Sequence, residues 1–190
     1  MTDNYPTETF KTAAAWRQWL TKHHAASAGI WVRIFKKHTN TETVSYAEAL
    51  DEALCFGWID GQKAKYDDES WLQKFTPRRP KSVWSKRNRE HVERLVKEHR
   101  MTPAGLAEVE AAKKDGRWDS AYDAASTMEV PEDFITELKE DETAYAFFKT
   151  LNKANTYSIA WRLQTAKKPE TRQRRKTQLL ELLKAGKKLH

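Results

Sequence analysis

SYAEALDEALCFGWIDGQKAKYDDESWLQKFTP, residues 45–77, sets the architecture. Ser45 followed three residues later by Glu48 is a capping box, in which the hydroxyl accepts from the residue 48 amide and the carboxylate reaches back. The helix this starts runs to about Cys55, with Ala47, Leu50, Ala53 and Leu54 on its inner face, and Gly57 ends it. Beyond the glycine, Lys63–Tyr66 and Trp71–Phe75 alternate in strand fashion around Asp67-Asp68-Glu69-Ser70, which predicts a hairpin near 62–76.

Working outward, IWVRIF (30–35) is β-branched and aromatic, giving a strand near 30–37. Upstream, Trp16, Trp19 and Leu20 fall at helical spacing behind Thr12, a helix over 13–23. Downstream the pattern is helical throughout. Ser82 is read as a cap for a helix with Val92, Leu95, Val96 and His99 inside, and Thr102-Pro103 opens another. Pro131 and Asp141 start two more, with further helices near 155–167 and 170–185. The fold class is α+β: a small antiparallel sheet packed with helices, then a helical C-terminal half. The composition divides at 80, into 1–80 and 81–190, expected to form one compact unit.

The 190 residues include eight Trp, seven Phe and six Tyr, enough aromatic surface for a core and against disorder. No apolar run approaches the roughly 20 residues that span a bilayer. The opening MTDNYPTETF has no basic or apolar leader pattern, and the single Cys55 excludes an internal disulfide, so a reduced, cytoplasmic setting is expected. Thirty-four Lys and Arg against 27 Asp and Glu leave +7, unevenly spread. Residues 72–100 hold ten basic and three acidic side chains, and residues 162–190 hold ten and two. Such clusters suit an anionic partner or simply face water.

Two groups of residues are candidate sites. Trp58 and Asp60 lie at the start of the hairpin, Arg78, Arg79 and Trp84 just past its end. Antiparallel pairing brings Asp60 towards Arg78 or Arg79, an ion pair in an aromatic cleft for a small anion, or a braced turn beside core tryptophans. On the last helix Arg172, Arg175 and Lys176 share a face, with Lys168 at its start. They could hold phosphate or lie along a nucleic-acid backbone, or pair with the acidic stretch 129–142.

Chemistry of other kinds finds little support. Cys55 sits near a helix C-terminus in an apolar string, where a thiolate is disfavoured, and reads as a small core residue. The six histidines show no metal-binding spacing; His91 and His99, placed on one helix, would stand about 12 Å apart. No phosphate-loop glycine pattern and no G-x-S-x-G occur. No metal or cofactor is expected. The string 115–119 reads as a tight loop anchored by Trp118.

EALDEALCFGWIDG (48–61), FTPRRPKSVWSKRN (75–88), MTPAGLAEVEAAKKDGRWDSAYD (101–123) and ETRQRRK (170–176) resemble the YdeI/OmpD-associated, or bacteriocin-protection, family. The resemblance runs in order from the Trp16–Leu20 helix to the last helix. It implies a small α+β protein with a helical C-terminal half, supplies no catalytic residues, and links the chain by name to bacteriocin tolerance and an outer-membrane porin. The resulting expectation is a cytoplasmic binding protein for a small anion or anionic partner rather than an enzyme. A nucleic-acid-associated protein using the basic C-terminal helix is the second reading, and an enzyme of unknown class the third.

Overall fold

A computed structural model describes residues 5–123 and 127–189. The chain divides into two compact units, Met1–Ser120 and Ala121–His190. The compositional boundary at 80 thus falls inside the first unit, because the helices after it pack onto the helix at 46–55.

In the first unit Thr12 caps α1 (Ala13–His23), accepting from the Ala15 amide at 3.2 Å. Helix α2 (Tyr46–Cys55) carries the full capping box: Ser45 Oγ accepts from Glu48 N, and Ser45 N donates to Glu48 Oε2 at 2.9 Å. Gly57 stops it at φ +74°, a left-handed turn that a β-carbon would strain. The strands are β1 (Thr7–Thr9), β2 (Ile30–Phe35), β3 (Trp58–Lys65) and β4 (Ser70–Pro77), in the order β1-β2-β4-β3. The sheet is mixed rather than wholly antiparallel: β1 adds to β2 in parallel. The three fully exposed residues of β1, Thr-Glu-Thr, have no apolar alternation to announce a strand. The hairpin is also longer than 62–76, because β3 begins directly after Gly57 and bulges between Asp60 and Lys63.

Ile30, Val32, Ile34 and Phe75 point to one face of the sheet, where α1 and α2 contribute Trp16, Leu20, Leu50 and Ala53. Buried Trp16 and Trp58 satisfy their indole N–H groups on the carbonyls of Ala49 and His24, at 3.0 and 3.1 Å. Ala47, assigned to the inner face of α2, is exposed, and Ala49 is buried instead. Helix α3 (Lys86–Lys97) is capped by Ser85, not Ser82; Ser82 Oγ accepts from the Arg79 amide in the preceding turn. Starting later, α3 buries Val92 and Leu95 but leaves Val96 44% exposed. His99 lies beyond its end at φ +54°, so the two histidines do not share a helix. Helix α4 (Pro103–Lys114) crosses α2 in backbone contact: a β-carbon on Gly105 would run into the Cys55 carbonyl oxygen. That same oxygen accepts from Thr102 N and Oγ1.

The second unit consists of α5 (Glu132–Leu138), α6 (Glu142–Lys149), α7 (Lys153–Gln164) and α8 (Pro169–Lys184). Its own core is Phe134, Leu138, Ala144, Ile159, Leu163, Leu179, Leu180 and Leu183. Buried Asn155 ties the end of the chain to α7 by accepting from the Leu189 amide at 3.0 Å. Among the described residues no helix is long and apolar enough to cross a membrane.

Candidate anion-binding site

The residues around the hairpin base are largely interior. Trp58, Trp84 and Arg78 are 1%, 2% and 6% exposed. The Arg78 guanidinium lies 3.5 Å above the Trp84 ring and donates to the Val83 carbonyl, while Trp84 meets Trp118 edge-on at 5.0 Å. Asp60 registers with Phe75, and its carboxylate accepts from the Tyr46 hydroxyl at 2.7 Å. Arg79 is exposed. The strand register therefore sets Trp58, not Asp60, opposite Pro77.

Of the four candidate basic residues on α8 and at its N-cap, three have partners within their own unit. Arg172 forms a two-pronged bridge to Asp133, Lys176 reaches Glu137 and Asp133, and Arg175 donates to the Arg162 carbonyl and Thr165 Oγ1. The Arg172 hydrogen bonds draw the Asp133 carboxyl down to about 2. Lys168 is exposed, with Lys167 and Arg174.

A charge network that local sequence does not announce joins α1, α2, α3 and the turn after α3. Arg94 grips both oxygens of Asp51, at 2.6 and 2.7 Å, and His91 Nδ1 lies 2.7 Å from the same carboxylate. Glu52, 5% exposed, binds Arg17 at 2.6 Å and Arg100 at 2.7 Å. Burial opposes the charge on Asp51, yet the Arg94 and His91 contacts hold its carboxyl below the ordinary range. Burial, reinforced by Glu52, pushes the neighbouring Cys55 thiol up to about 11, which leaves it a poor nucleophile at neutral pH. Glu98, bonded to both Arg94 and Arg100, brings the network to three arginines against three carboxylates.

The open feature is a cleft of about 330 Å³ lined by Lys36, Lys63, Ala64, Lys65, Ser70 and Trp71. Strand pairing of Lys63 with Gln73 and Lys65 with Trp71 sets both lysines on the Trp71 face of the sheet. Lys63 Nζ stands 4.2 Å from the Trp71 ring centre, and Tyr46 packs against that indole at 6.2 Å. Lys65 bridges Asp68 at 2.8 Å, and Lys36 donates to the Asp68 carbonyl. The Lys65 and Asp68 side chains are 74% and 94% exposed, so freeing that lysine costs no more than about 1 kcal/mol. A second hollow of about 300 Å³ pairs Lys86 and Arg89 with Glu90 and Glu93 and has no excess of either sign. Among the described residues no three His, Cys, Asp or Glu converge as metal ligands.

Comparison with known proteins divides the chain much as its contacts do. Residues 8–108 match the model of a domain of unknown function, DUF8412, and residues 127–186 match the model described as "Bacteriocin-protection, YdeI or OmpD-Associated". No curated protein and no solved structure matches the chain. Fold and site together define a two-unit α+β protein with a lysine-lined cleft on its sheet. The match to the domain of unknown function covers more than half of the chain, which therefore belongs to the DUF8412 family, while residues 127–186 are similar to the YdeI/OmpD-associated, bacteriocin-protection family. Of the four strings that resemble this family, ETRQRRK lies within the matched 127–186.

Proposed function

We propose that this chain is a cytoplasmic binding protein for an anionic ligand, without turnover, serving the bacteriocin protection named in the description of the family that residues 127–186 match. The ligand is taken at the Lys36–Lys63–Lys65–Trp71 cleft. The observation that carries this reading is that three lysines and an indole line one cleft, Lys63 lying over the Trp71 ring while Lys36 and Lys65 reach the almost fully exposed Asp68. Clustered ammonium groups hold anions as point charges, and the indole supplies an apolar floor. Titration with inorganic pyrophosphate, followed by calorimetry, tests it. Binding should weaken with added salt and fall at least tenfold in the Lys63→Gln/Lys65→Gln double variant, whose altered side chains are exposed. Absence of binding, or undiminished binding by the variant, rejects the reading.

A second reading, association with nucleic acid through α8, draws on the exposed Lys167, Lys168 and Arg174. Arg172, Arg175 and Lys176 already have partners inside the unit, which favours the cleft.

A further inference from the structure

The two faces of the sheet differ in kind. Ile30, Val32, Ile34, Gln73 and Phe75 face inward and are buried. Their alternating neighbours Trp31, Arg33, Phe35, Leu72 and Lys74 face the other way and are half-buried. Tyr66, just past β3, is 53% exposed, the most exposed of the large hydrophobic side chains among the described residues.

On this outer face rings and cations interleave. The Arg33 guanidinium lies between the Phe35 and Tyr66 rings, 4.4 and 4.5 Å from their centres. It is held there by Ser70 Oγ at 2.9 Å and Asp67 at 2.7 Å. Lys74 Nζ lies 5.6 Å from both Tyr5 and Trp31, directly across the β2–β4 pairing. Rings interleaved with cations suit a ligand that offers both flat apolar faces and negative charge, as a nucleic acid does.

We infer that this outer face is a platform for single-stranded nucleic acid. Flat rings on an open sheet, Tyr66 foremost, stack unpaired bases, with Arg33 fixing the Phe35 and Tyr66 rings in place and Lys74 meeting the phosphates. Bases already stacked within a duplex cannot use the rings, so the platform selects single strands. The platform's rings lie on the opposite face of the sheet from Lys63, Lys65 and Trp71 of the lysine cleft, with Ser70 bordering both.

The test is fluorescence anisotropy with a labelled 15-mer of oligo-dT and a duplex of the same length, over a range of salt. The wild-type chain should bind the single strand more tightly than the duplex, with log K falling linearly in log[salt]. Tyr66→Ala and Trp31→Ala should each weaken single-strand binding by roughly 5- to 100-fold, the loss of one stacked base. Lys74→Gln should reduce the salt slope by about one phosphate contact. Circular dichroism checks folding; Tyr66→Ala and Lys74→Gln alter exposed tips and keep the test decisive if Trp31→Ala unfolds. A Lys167→Gln/Lys168→Gln/Arg174→Gln variant should bind as wild type. The proposal is overturned by no single-strand binding, by equal binding of the duplex, or by loss confined to the α8 variant.

Discussion

The two basic segments, 72–100 and 162–190, carry nearly the same cationic excess, yet the fold uses them differently. In the first, Arg94 and Arg100 extend across the unit to Asp51 and Glu52, acids whose side chains are only 14% and 7% exposed. In the second, Arg172 and Lys176 reach Asp133 and Glu137, which are 48% and 40% exposed. The cations are alike; the burial of the acids separates the two cases. A buried carboxylate has given up its water and depends on its partners, whereas an exposed one keeps solvent as an alternative.

The sharpest way to break that contrast is Glu52→Ala. It leaves Arg17 and Arg100 without their shared carboxylate in a half-buried site, and should cost about 3 kcal/mol in urea denaturation. A loss below 1 kcal/mol would place this network with ordinary surface bridges. Asp133→Asn should cost no more than about 1 kcal/mol at neutral pH, because its bridge is half-exposed. The sign follows from the depressed carboxyl. The contribution is full above the unfolded value of 3.8 and is lost as pH falls towards about 2, so wild type and variant should converge in acid denaturation over that window. Smallest of all, Arg174→Gln on the exposed side of α8 should shift stability by less than about 0.5 kcal/mol.

Much of this fold was legible because its signals are local. Thr12, Ser45, Thr102 and Asp141 each cap the helix that sequence assigned them, through a hydroxyl or carboxylate bonded three residues ahead. Ser82 misled because another serine, Ser85, stands three residues on, and only the intervening turn decides which of them meets a free helix amide. The Asp51–Arg94 and Glu52–Arg100 contacts span 43 and 48 residues, and no pattern within one helix distinguishes them from solvated charge. The lysine cleft was hidden differently. Lys63, Lys65 and Trp71 were visible as strand alternation, but their convergence depends on the register beyond the β3 bulge, which alternation does not specify. The Trp58–Trp84 group was legible as aromatic and cationic, with core tryptophans as one of its two readings, while the burial of Arg78 among them was not.

Gly105 sets a boundary on how this protein can change. The place where its side chain would begin is already occupied by a backbone oxygen, and backbone cannot rotate aside as a side chain can. Because Thr102 fastens that oxygen twice, separating the helices to make room would also unfasten the start of α4. At this crossing the substitution alphabet has a single letter. Any library of variants that retains the α2–α4 crossing should return glycine at 105 without exception and favour it less strictly at Gly116 and Gly186, where a β-carbon would meet nothing within 4 Å and the left-handed backbone alone resists.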